Sequence, residues 1–190
     1  MKKLYSHCAN SAFKQQGVSL IELMVSVSIT IVLAASVAPS LQATISQNTI
    51  AAQMNQISAL AQFARGHAID NQIETTLCAT ADYSTCSHNW SQAKMVFVDS
   101  NSDGERNATE TLLTSLSKEE SNIEVKGPQN AISFTQNGGA NSNADILFCG
   151  DQASSHRALL ISMQGRVKTS QDSNNNKIHE DRDGNALNCS

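Results

Sequence analysis

The chain has 190 residues, 40% hydrophobic and only 4% aromatic, which suffices for one modest core rather than two. With 13 basic against 17 acidic residues its formal charge is −4, a balance that argues against holding nucleic acid by charge alone. No nucleophile motif or phosphate-binding loop gathers its Ser, His and Asp residues, so no enzymatic activity is expected.

The first segment, Met1 to Gly17, carries Lys2, Lys3 and Lys14 and no acid. The positive-inside rule keeps such a leader in the cytoplasm and sends the following domain across the membrane. Val18 to Ala38 then runs for 21 residues with Glu22 as its sole charge. At ~1.5 Å per residue this run crosses a ~30 Å hydrocarbon core as a helix. A secretory signal has its small residue after the apolar core, whereas Gly17 stands before it. A cut at Gly17 removes the leader, keeps the anchor and leaves a mature chain of 10 basic and 17 acidic residues, charge −7. A plain signal anchor is the competing reading, but it leaves unexplained a carboxylate that is costly inside a membrane. Once such helices pack side by side, Glu22 needs a cation, and the free amine of a neighbouring Val18 could supply it.

The helical pattern continues beyond the apolar run. Ile50, Met54, Ile57, Leu60, Ala61, Ala64 and Ala68 share one face, while Asn55, Ser58, Gln62 and Arg65 share the other. One helix over Val18 to Asp70 is predicted, with a bend at Pro39. After Asn71 come short β-type runs: Ile73 to Ala79, Lys94 to Asp99, Thr111 to Leu116, Ile123 to Lys126, Ala131 to Thr135, Ile146 to Cys149, Ala158 to Ser162 and Arg166 to Lys168. The expected fold class is α+β, an antiparallel sheet over the end of one long helix. Its parts are the leader 1–17, an apolar helix 18–39, an amphipathic half 40–70 and a head 71–190. The polar stretch Asp172 to Asn188 reads as a loop or tail held mainly by Cys189.

Cys8 falls in the leader, which leaves Cys78, Cys86, Cys149 and Cys189 in an oxidising space. Of three connectivities, Cys78–Cys86 with Cys149–Cys189 is favoured, because it closes one short loop and ties down the tail. No Cys-x-x-Cys or clustered His spacing supports zinc, and His67, His88, His156 and His179 read as surface or interface residues. Asp99, Asn101, Asp103, Gly104 and Glu110 follow the spacing of an EF-hand loop, which makes calcium a candidate ligand although strands flank it. The competing reading is a hairpin turn rich in Asp, Asn and Gly.

Gln16-Gly17-Val18-Ser19-Leu20-Ile21-Glu22-Leu23 resembles the signal of type IV prepilins and type II secretion pseudopilins, with Val18 where Phe is usual. That resemblance implies a prepilin peptidase that cuts after Gly17 and methylates Val18, and a Glu22 that meets a neighbour's N-terminus. Leu77-Cys78, Trp90, Val96-Phe97-Val98-Asp99, the turn Asn101 to Gly104, Glu110 to Leu113 and Gly165-Arg166-Val167 are similar, in their order, to the GspH/FimT group of minor pilins. Ala93-Lys94 departs from the Gly-Trp common there. The resemblance implies a minor pilin that primes or caps a type IV pilus used in motility, adhesion or DNA uptake. Other minor pilins and the major pilin would be its partners, with the inner membrane holding the protein before assembly. It would be a single-pass inner-membrane protein with a periplasmic head, then part of an extracellular pilus. A periplasmic type II secretion pseudopilus is the alternative. Some members bind DNA through a C-terminal Gly-Arg-x-Arg element. Arg166 and Lys168 are the corresponding candidates here, and the acidic neighbours Asp172, Glu180, Asp181 and Asp183 argue against them.

Overall fold

The computed structural model describes residues 17–189, without the side chains of residues 36–40. Leader residues 1–16, with Lys2, Lys3, Lys14 and Cys8, lie outside the described residues, as does the side chain of Pro39, where a bend is expected. Helix α1 spans Leu20–Asn71. Gln72 ends it in the left-handed region, at φ 53. The Ile73 N–H then reaches back to the Ala68 carbonyl at 3.3 Å, a Schellman closure that satisfies a terminal carbonyl. The chain divides into two compact units, Met1–Gln42 and Ala43–Ser190.

In the second unit the chain forms β1 (Thr75–Thr80), β2 (Ala93–Val98), β3 (Leu112–Leu116), β4 (Glu124–Lys126), β5 (Ile132–Phe134), β6 (Ala144–Cys149), β7 (Arg157–Ile161) and β8 (Val167–Thr169). The architecture is α+β, and the strands form two antiparallel sheets rather than one. Their orders are β3-β2-β1-β5 and β4-β6-β7-β8. Chain order and sheet order part at β4, which pairs with β6 while β5 returns to lie beside β1. Alternation in sequence marks a strand but does not choose its neighbour.

Both sheets lay an apolar face on the same side of α1. Ile50, Met54, Ile57, Leu60, Ala61, Ala64 and Ala68 are buried in one cluster with Leu77, Val96 and Phe134 of the first sheet and Ile146, Phe148, Leu159 and Ile161 of the second. Alanines at 61, 64 and 68 let the strands approach the helix axis, and each large aliphatic side chain buried contributes about 1.5–3 kcal/mol. The opposite face of the first sheet is also covered. There Cys78, Met95 and Phe97 pack with Cys86, Leu112 and Ala131, so β1 and β2 are buried on both faces. Trp90 closes one end of the main core; its indole N–H donates to the Pro128 carbonyl at 2.9 Å.

Lys94 occupies a position that ought to be apolar. It shares a face of β2 with Val96, is 5% exposed, and lines a cleft of about 250 Å³ with Gln53, Ile57, Leu116 and Glu119. Burial pulls its ammonium from 10.5 down to about 8, a drop that the charge of Glu119 limits. Because the folded-state value lies below the unfolded one, the protonated lysine opposes folding at pH 7, and stability rises as pH climbs from about 8 towards 10.5. Lys94→Met is therefore expected to stabilise the protein at pH 7, by at most ~3 kcal/mol. In urea denaturation the gap between variant and parent should narrow above pH 8; a gap independent of pH would contradict this account.

Candidate functional site

The described N-terminal stretch starts with a helix cap. Ser19 precedes α1, and its Oγ accepts the Glu22 N–H at 3.2 Å, the Ser-x-x-Glu arrangement of a capping box. Glu22 lies in the first turn, where the helix macrodipole favours an anion. No basic side chain among the described residues pairs with it. Around it the surface is apolar and open, with Val18 68% and Leu20 81% exposed. The hydroxyls of this stretch do not break that surface. Ser26, Ser28 and Thr30 donate to the carbonyls of Leu23, Met24 and Ser26 at 2.8–2.9 Å, so each polar group is satisfied by its own helix. Among the described residues no helix is long and apolar enough to cross a membrane; the apolar run passes through residues 36–40, whose side chains are outside the description.

In the head, disulfides join Cys78 to Cys86 and Cys149 to Cys189, with Cα–Cα separations of 5.7 and 5.8 Å. The first holds the loop after β1 over the outer face of the first sheet. The second closes 40 residues of chain, worth about 4 kcal/mol in the loop-entropy model. It is not the tail's only anchor. Arg182 forms a two-pronged ion pair with Asp145 and also donates to the Ala144 and Ile161 carbonyls, both at 3.3 Å. The bond to Asp145 raises the pKa of Arg182 and keeps it charged.

The acidic turn brings Asp99, Asn101, Asp103 and Glu110 together, and its carboxylates mostly hold the chain's own amides. Asp99, 1% exposed, accepts the N–H groups of Asp103 (3.2 Å) and Gly104 (2.9 Å) and the Thr76 hydroxyl (3.0 Å). Glu110 accepts the N–H groups of Ser100 and Asn107, each at 2.9 Å. All four carboxylate oxygens thus have protein partners, and Gly104 takes the required positive φ of 77. Asn101 donates its amide to Asp103 at 2.7 Å instead of turning that nitrogen away. The geometry is that of a self-supporting turn. Among the described residues no group of three or more His, Cys, Asp or Glu is gathered for a metal.

In the Gly165-Arg166-Val167-Lys168 element, Gly165 and Arg166 end the β7–β8 turn and Val167 and Lys168 begin β8. Gly165 is buried against the helix: an added Cβ would lie 2.0 Å from the Gly138 carbonyl oxygen and 2.7 Å from Arg65 Nε. Arg65 itself donates to that carbonyl at 2.7 Å. Arg166, just before β8, and Lys168, on that edge strand, are exposed beside a groove that also contains Glu180, Asp181 and Arg182. The two candidate cations therefore stand in mixed charge rather than in a basic patch. Sequence spacing found the cysteines, the turn and the glycine; the Ser19 cap could have been read from its Ser-x-x-Glu spacing, whereas the Arg182 anchor depends on partners at Asp145, Ala144 and Ile161 that no pattern announces.

The sequence pattern of the family described as "Type II transport protein GspH" matches residues 53–165, more than half of the chain. The chain belongs to the GspH family. A second pattern, the prokaryotic N-terminal methylation motif, covers residues 12–38 and so includes Gly17, Val18 and Glu22. No curated protein matches the chain. Among solved structures, the crystal structure of the type IV minor pilin FimU of Pseudomonas aeruginosa PAO1 in space group P21 is similar. It aligns with a TM-score of 0.53 at 18% identity, covering 65% of this chain and 90% of that one. A second crystal form of FimU, in space group P65, aligns with a TM-score of 0.49 at 18% identity, over 62% and 90% of the two chains. GspH-family membership accounts for the α+β pilin-like fold, and the methylation motif for the leader.

Gly165→Ala combines a left-handed φ with a backbone collision. It should lower stability by about 2 kcal/mol or more. Arg166→Gln, at the exposed end of the turn, should change it by less than about 0.5 kcal/mol. Thermal unfolding of the two variants side by side gives the comparison.

Proposed function

We propose that this chain is a minor pilin, a structural subunit of the complex that primes or caps a type IV pilus. A prepilin peptidase would cut between Gly17 and Val18 and methylate the new amine. The apolar helix would hold the head on the outer side of the inner membrane until the subunit passes into the pilus. The observation that carries this reading is the lone Glu22 in an apolar, exposed helix surface inside a methylation motif. In a bundle of such helices the carboxylate is buried, and a buried charge without a partner costs several kcal/mol. The N-terminal amine of a neighbouring Val18 would neutralise it and fix how far one subunit is displaced along the next. The other minor pilins and the major pilin are the partners this chemistry requires.

A type II secretion pseudopilin is the second reading, favoured by the family's description as a type II transport protein over residues 53–165. The two differ in what deletion of the gene removes, surface pili or secretion of exported proteins. A third role, DNA capture through Arg166 and Lys168, has the least support, because those residues share their groove with Glu180 and Asp181. If it operated, binding would weaken steeply with salt and Arg166→Gln would abolish it.

Glu22→Ala should leave leader removal at its normal level, seen as the shift in electrophoretic mobility, and reduce incorporation into sheared pili by at least about tenfold. Pili that carry the variant at wild-type levels would rule out the amine–carboxylate register.

A further inference from the structure

The acidic turn has a near-copy outside the GspH-matched region. Asp99-x-Asn101-x-Asp103-Gly104 is echoed by Asp172-x-Asn174-x-Asn176-Lys177. In the first loop Asp99 accepts the N–H groups of its fourth and fifth successors. In the second, Asp172 does the same, with Asn176 at 3.1 Å and Lys177 at 2.8 Å. The backbones match as well. The fourth residues, Ser102 and Asn175, have φ 59 and 60, and the sixth, Gly104 and Lys177, have φ 77 and 69. A following glutamate caps each loop by accepting the N–H of its second residue: Glu110 from Ser100 at 2.9 Å, Glu180 from Ser173 at 2.7 Å.

The two loops part at the other oxygen of that glutamate. Glu110 Oε2 accepts the Asn107 N–H, whereas Glu180 Oε1 is buried with no partner at all. Glu180 is only 5% exposed, and its Oε2 bond to Ser173 sets the carboxylate over the loop. A carboxylate oxygen taken out of water and left unpaired is costly. The cations nearest in sequence do not relieve it, since Arg182 is committed to Asp145 and neither Lys177 nor His179 is ion-paired to Glu180. The loop's other oxygens are hard: the Asp172 carboxylate and the Asn174 and Asn176 side-chain carbonyls each accept a backbone N–H of the loop and keep a second lone pair. Ile178 holds the seventh position, where loops of this spacing use the backbone carbonyl. Such a set has only two acids, so it lies outside any cluster of three or more His, Cys, Asp or Glu. Ser173 and Glu180 also line the groove beside β8, which opens to solvent.

We propose that the second loop, Asp172 to Glu180, binds one calcium ion, with Glu180 Oε1 as the ligand that the protein leaves unpaired. Calcium is favoured over magnesium because it accepts six to eight oxygens in irregular geometry. The ion would fix the segment from Gln171 to Ala186 against the second sheet. This goes beyond the minor-pilin reading and does not depend on it.

The test uses the full chain in detergent micelles after treatment with a chelator. Titration calorimetry with calcium chloride should give one ion per chain, with a dissociation constant of about 10⁻⁴ to 10⁻³ M, the range of extracellular modules. Saturating calcium should raise the Tm. Glu180→Gln and Asn174→Ala should each weaken binding at least tenfold, and Asp99→Asn should leave it within twofold. Asn174 is exposed, so its variant reads the site even if Glu180→Gln misfolds. The proposal falls if the wild-type chain gives neither heat nor a Tm shift at ~10 mM calcium, or if Asp99→Asn abolishes binding while Asn174→Ala retains it.

Discussion

Everything in the head rests on one stripe of α1, from Ile50 to Ala68, against which two sheets are packed. With so few aromatic residues the chain builds only a small second cluster around Cys78, Met95 and Phe97, so both sheets draw mainly on the same helix face. Small residues make this feasible. Ala61, Ala64 and Ala68 bring the strands close to the helix, and the large side chains Ile50, Ile57, Trp90 and Phe148 fill what remains around them. Arg65, at the flank of the stripe, reaches the Gly138 carbonyl and so ties the helix to the turns at Gly138 and Gly165.

Much of this was legible from spacing. The 3.6-residue recurrence between Ile50 and Ala68 specified the buried face residue by residue, because a helix that covers a sheet has no other way to hide those side chains. The eight strands lie where apolar runs lie, with ends displaced by one or two residues. Their division into two sheets was not legible, since pairing depends on where β4 and β5 find partners distant in sequence. Lys94 was visible only as a departure from a pattern; its depressed pKa arises from burial in a cleft lined by Gln53, Ile57 and Leu116, against which the charge of Glu119 acts. The acidic turn could be seen, but whether its carboxylates face amides or an ion is a matter of hydrogen-bond direction. Its near-copy at Asp172 has Lys177 where the pattern wants Gly, and an acid at the wrong distance, so no spacing rule selects it.

The polar tail shows how composition misleads about order. Between Gln171 and Cys189 there is almost nothing apolar to bury, yet Glu180 and Leu187 are buried and bridges link Gln171 to Glu180 and Glu180 to Ala186. Asn and Asp side chains achieve this by accepting backbone N–H groups two to five residues ahead. Conformational entropy is reduced locally, by side chains that replace the missing core.

The self-bonded hydroxyls of Ser26, Ser28 and Thr30 leave the described start of α1 with an almost featureless wall. A neighbouring helix laid against it meets no spare donor and no fixed polar notch, and methyl groups pack about equally well after a slip of a turn in either direction. On such a wall sliding is nearly free except where Glu22 stands. In the proposed assembly that one carboxylate is the graduation on an otherwise blank ruler, so moving it by a single residue would shift a neighbouring subunit by the rise of one helical step.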